Sequence, residues 1–128
     1  MRGRICLVAL AVIGSALPDA RARAASPPIE CRQARSVVDQ DICASPGEVA
    51  LDREVAALYD RGMAEFTPAD RHTLAQSQLK FLKGRAGCAW ATHNSAHPGA
   101  ALSECVTMKM EERVRALRRI VDKGGYGR

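Results

Sequence analysis

The chain has 128 residues and a formal charge of +5, with 26% charged and only 4% aromatic residues, which sizes it for one domain with a thin core. Charges of both signs are interspersed, and the aromatics are too few to interleave a basic stripe, so composition argues against nucleic-acid binding.

Met1–Arg4 is a short basic segment, Ile5–Leu17 is apolar, and Ala22-Arg23-Ala24 offers small residues in an A-x-A arrangement. That order predicts a secretory signal peptide over residues 1–24, cleaved after Ala24. The apolar run is too short to anchor the chain in a bilayer. Cys6 lies inside the run rather than directly after it, which speaks against a lipoprotein signal. The four arginines and one aspartate of residues 1–24 take three positive charges with them, leaving a mature chain of +2. The expected location is periplasmic or secreted, with no stable membrane anchor after cleavage.

Residues 25–30 (ASPPIE) have two prolines and no periodicity, and read as an extended leader. Ser36 is placed to cap a short helix ending near Cys43, with Asp39 in its first turn. A second helix starts where Ser45 caps, Pro46 takes the first helical position and Glu48 sits in the first turn. Leu51, Val55, Leu58, Tyr59, Met63 and Phe66 follow at three- and four-residue steps and form its apolar face. Gly62 weakens that helix near its end. Thr67-Pro68-Ala69-Asp70 opens a third helix, expected over 68–89, with Leu74, Leu79, Phe81 and Leu82 as its apolar face. Residues 91–99 (ATHNSAHPG) read as a loop. The fourth helix is expected over 100–122, with a stripe of Leu102, Val106, Met110, Val114, Leu117 and Val121. The glycine-rich tail, 123–128, is expected to fray. No strand-like alternation appears. The fold class is all-α: a small antiparallel helical hairpin elaborated into a bundle of about four helices over residues 31–122.

Four cysteines remain after cleavage: Cys31, Cys43, Cys88 and Cys105. An even count in a small exported domain predicts two disulfides, which would support the thin core. The absence of any C-x-x-C leaves a zinc knuckle or thioredoxin-like motif without support. Three pairings are possible. Closeness in sequence favours Cys31–Cys43 and Cys88–Cys105, each flanking one helix junction, although sequence alone does not fix the connectivity.

His93 and His97 have ligand spacing, but Asn94, Ser95, Pro98 and Gly99 place them in a loop where that spacing loses its geometry. His72 near Asp70 reads as a polar surface pair. Asp52 with Glu54, and Glu111 with Glu112, are near neighbours on a helix whose side chains diverge, so neither makes an acid–base couple by spacing. With no serine elbow and the cysteines committed to bridges, no catalytic, metal or cofactor site is expected. Three polar residues fall near the core-facing sides of their helices: Asp52 at the edge of an apolar stripe, and Gln78 and Arg85 flanking Phe81. A buried charge needs a partner, so an Asp52–Arg85 contact with Gln78 nearby is expected between the second and third helices. The competing reading has both charges facing water.

Together these elements resemble the LprI-like lysozyme-inhibitor domain (N-terminal), a family of small exported bacterial helical proteins. The resemblance rests on Cys31, Ile42-Cys43, Leu51-Asp52 and Tyr59. It continues through a Leu74…Gln78…Phe81-Leu82…Arg85…Cys88 run, then Cys105, Arg113-Val114 and Leu117. The family usually has Trp in place of Phe81, often an acidic residue in place of Ala86, and a shorter segment between Cys88 and Cys105. The resemblance implies a periplasmic or secreted binding protein whose partner is lysozyme or another envelope protein. Common animal lysozymes are strongly basic, and an inhibitor meets such a partner with an acidic patch. Glu48, Asp52, Glu54 and Asp60, or Glu111 and Glu112, are the available acids.

Overall fold

The computed structural model describes residues 28–127, so the expected signal peptide and the first residues of the leader lie outside it. A 3-10 turn at Cys31–Gln33 precedes five helices: α1 (Val37–Ala44), α2 (Pro46–Glu65), α3 (Pro68–Ala86), α4 (Cys88–Thr92) and α5 (Pro98–Lys123). Four of these have eight or more residues, and among the described residues there are no strands. The protein is an all-α bundle with two disulfides.

The starts of the helices follow local chemistry. Ser36 Oγ accepts from the Asp39 amide at 3.0 Å, Ser45 Oγ from the Glu48 amide at 3.3 Å, and Thr67 Oγ1 from the Asp70 amide at 3.2 Å. Each satisfies a donor that the first turn leaves orphaned. Pro46, Pro68 and Pro98 open α2, α3 and α5, where a missing N–H costs nothing. Gly124, at φ +78°, closes α5 in the left-handed region. Its amide bonds Val121 O, and the Gly125 amide bonds Ile120 O.

Two helix boundaries differ from expectation. The helix expected over 68–89 stops at Ala86. Gly87 keeps near-helical angles, yet a new one-turn helix begins at Cys88. The expected loop over 91–99 shrinks to residues 93–97, because Pro98 starts α5. Leu79, expected on the apolar face of α3, is 56% exposed. The face of α3 that meets the core is Leu74, Gln78, Phe81 and Arg85, at steps of four, three and four, and position 79 falls outside it.

α5 forms the spine of two adjoining cores. At one end Val114, Leu117 and Val121 pack with Val55, Tyr59, Phe66 and Leu74. At the other, Leu102, Val106 and Met110 pack with Val38, Ile42 and Cys88. Leu51 and Phe81 touch both groups and join them. Gly62 is explained by the first core: a Cβ there would meet Leu74 Cδ2 at 2.6 Å, so α2 and α3 approach only because the position is bare. In the tail read as fraying, Tyr126 packs edge-on against Phe66, with ring centroids 6.3 Å apart, and reaches Ser77 Oγ at 3.3 Å. No helix among the described residues is long and apolar enough to cross a membrane.

Candidate functional site

The polar residues on the core-facing stripes meet along a seam between α2, α3 and α5. Arg85 Nη1 donates to Asp52 Oδ1 at 2.8 Å, both side chains being only 9% exposed. The second Asp52 oxygen accepts the Ile29 amide at 2.7 Å, which fastens residues 28–30 to α2. The expected Asp52–Arg85 contact therefore forms, and Asp52 has an additional task that the sequence did not indicate. Gln78 borders the same small void of about 10 Å³ as Asp52 and Arg85, but its hydrogen bonds go elsewhere. Its Oε1 accepts from Arg113 Nε at 2.9 Å and from Arg113 Nη2 at 2.8 Å. Arg113 Nη2 also donates to Ser77 Oγ at 3.0 Å. Both guanidinium groups approach the Phe81 ring, Arg85 at 5.4 Å and Arg113 at 5.7 Å from its centroid. Both distances fall within cation–π range.

A second polar cluster joins α1, α2 and α5. Glu48 is buried, and its Oε1 accepts from Ser103 Oγ at 2.6 Å and Thr107 Oγ1 at 2.9 Å. Glu48 Oε2 and Asp41 Oδ2 are both buried without a hydrogen-bond partner among the described residues. Burial pushes the Asp41 carboxyl above its ordinary range, and the neighbouring Glu48 charge pushes it further. The folded chain thus holds a proton at Asp41 more tightly than the unfolded chain does. The stability that this proton supplies is fully present below the ordinary aspartate value of about 3.9, and it is lost as pH rises through the raised value. Asp41→Asn supplies an amide donor without a proton to lose. It should raise the melting midpoint at pH 7 by a few degrees and flatten the change between pH 7 and pH 4. Thermal melts of both proteins across that range test this, and an unchanged pH slope would refute it.

Glu48 and Arg113 were legible in principle. Glu48 lies four residues before Asp52 on the Val55–Tyr59 stripe, and Arg113 lies three after Met110 on the α5 stripe. Both spacings are those of core positions. Glu48 was instead counted among the acids available for a surface patch, and Arg113 was given no place in the core.

The disulfides are Cys31–Cys43 and Cys88–Cys105, with Cα atoms 5.6 and 5.8 Å apart. The first ties the 3-10 turn to the end of α1, and the second ties α4 to α5. The second also fixes the loop that carries the histidines. Trp90, on α4, is 78% exposed, and the His93 ring stacks on it at 4.5 Å between centroids. His93 Nδ1 lies 2.6 Å from Trp90 O; since a carbonyl can only accept, the nitrogen donates. His97 is the residue before α5, and His72 is exposed on α3. Among the described residues no three His, Cys, Asp or Glu side chains are grouped to hold a metal ion.

The acids that could have formed a surface patch are dispersed. Glu48 and Asp52 are buried, Glu54 pairs with Arg118, and Glu111 lies 3.9 Å from Arg115. Asp60 and Glu112 remain exposed, on different helices. Comparison with known proteins gives no match to a family model, a curated protein or a solved structure.

Proposed function

We propose that this chain is an exported binding module that meets a protein partner through the segment closed by Cys88–Cys105. The observation that carries this is Trp90. It is the one tryptophan of the sequence, it stands 78% exposed, and it is braced by a stacked histidine on a helix that a disulfide anchors. Water gains nothing from a large apolar ring held rigidly in it. Aromatic anchors of that kind, with little entropy left to lose, are where protein interfaces concentrate their energy. The charged groups of the interior are engaged in holding helices together, which supports a scaffold that presents a surface rather than one that houses a reaction.

Lysozyme is the partner implied by the resemblance to the LprI-like domain, and the periplasm or the extracellular space is the compartment. The disulfides fit such an oxidising location. The dispersal of the acidic residues favours a second partner class, an envelope protein that does not depend on an acidic counter-surface. Both readings use the same loop. A turbidity assay with hen-type lysozyme and the disulfide-bonded protein in molar excess separates them: protection of the cells supports lysozyme, and full lysis supports the envelope partner. With whichever partner binds, Trp90→Ala should weaken affinity by roughly 10–100-fold while leaving the helical signal unchanged. Unchanged affinity would overturn the assignment of the loop.

A further inference from the structure

Among the described residues, Arg113 is a buried cation with no counter-charge. It is 8% exposed, and among the described residues no carboxylate lies within ion-pair distance of it. The other arginine beside Phe81, Arg85, has Asp52. Arg113 instead has two neutral acceptors, Gln78 and Ser77, which engage Nε and Nη2, while Nη1 makes no hydrogen bond among the described residues. Burial pulls its pKa down, and the neighbouring tyrosines only partly offset this. A guanidinium held in that way is costly unless something negative comes to it.

The place for that something is open beside it. A groove of about 460 Å³ between α3 and α5 has Arg113 in its wall, a volume within the range of small-molecule sites. Lys80 and Lys109, both exposed, line it from the two helices, and the half-buried Phe81 and Ala116 give it an apolar side. Glu112 is the one acid among its lining residues, so the groove carries a net positive charge. We propose that this groove binds an amphiphilic anion, a phosphate or carboxylate head on an apolar chain. The head faces Arg113 Nη1 between the two lysines, and the chain lies along Phe81 and Ala116. This site is separate from the Trp90 loop, and nothing in it depends on the identity of the partner there.

Gly84 supplies a clean test. It lines the groove, and a Cβ built on it meets no atom within 4 Å, so a larger side chain leaves the helix into open space. Isothermal titration of the disulfide-bonded protein with octyl phosphate, below its micelle concentration, should show saturable binding. That binding should be at least about tenfold tighter than to inorganic phosphate or to neutral octyl glucoside. Gly84→Leu and the double variant Lys80→Ala/Lys109→Ala should each weaken it by roughly tenfold or more, with both disulfides and the helical signal intact. No binding of octyl phosphate would overturn the proposal. So would inorganic phosphate binding as tightly, which would leave the apolar side without a role. Equal binding of octyl glucoside, or undiminished binding by both variants, would overturn it as well.

Discussion

Arg85→Ala should destabilise the protein by ~3–5 kcal/mol, a large share of what a domain of this size has to lose. The magnitude follows from what remains. Asp52 is buried on the α2 face, and without Arg85 its Oδ1 would face the core alone while Oδ2 keeps only the Ile29 amide. An unpaired buried carboxylate is a greater loss than an absent ion pair. The double variant Asp52→Ala/Arg85→Ala should therefore be less destabilised than the sum of the two single variants, by about 1–3 kcal/mol. Urea unfolding of the four proteins measures this, and additive losses would mean that the pair contributes no coupling. Asp52→Ala has one consequence that Arg85→Ala lacks. It should release residues 28–30, so that the Ile29 amide exchanges with solvent at near the free-chain rate while the α2 amides stay protected.

The elements that announce themselves locally were readable from the sequence. Ser36, Ser45 and Thr67 cap where their spacing to Asp39, Glu48 and Asp70 puts them, because a cap is settled within four residues. The α5 stripe of Leu102, Val106, Met110, Val114, Leu117 and Val121 is buried throughout, since its apolar period is uninterrupted by anything but Arg113. The helix expected over 68–89 was less legible. Two of the four core positions on α3 are Gln78 and Arg85, so its apolar pattern is faint and Leu79 stood in for a residue of the buried face. What joins one helix to another was legible only in part. The Asp52–Arg85 pair could be argued from the need of two inward charges for each other. The attachment of Gln78 to Arg113 rather than to that pair depends on how α5 crosses α3, which no local pattern states. Exposure of Trp90 is equally non-local. Cys88 and Trp90 stand two residues apart on the short α4, yet one is buried in the second core and the other is in solvent, which depends on how α4 lies against α5.

Removing the Cys88–Cys105 bridge should cost about 3 kcal/mol from chain entropy alone, for a closed segment with a sequence separation of 17. The loss should not be spread evenly over the fold. α4 has five residues, too few to be helical by itself, and Cys88 is 1% exposed within the second core. The variant Cys88→Ala/Cys105→Ala therefore loses the tether of the segment that presents Trp90, and amides from Ala89 to His97 should lose protection first. Cys31–Cys43 closes a separation of only 12, and Cys31 is exposed, so Cys31→Ala/Cys43→Ala should cost somewhat less and loosen mainly residues 28–35. Denaturant unfolding gives the two totals, and residue-level hydrogen exchange gives their location. The pair of variants also probes function, because both weaken the fold but only one frees the loop. If the Trp90 segment is the docking element, partner binding at a temperature where both variants remain folded should fall in Cys88→Ala/Cys105→Ala and persist in Cys31→Ala/Cys43→Ala. Equal retention in both would place the interface elsewhere on the bundle.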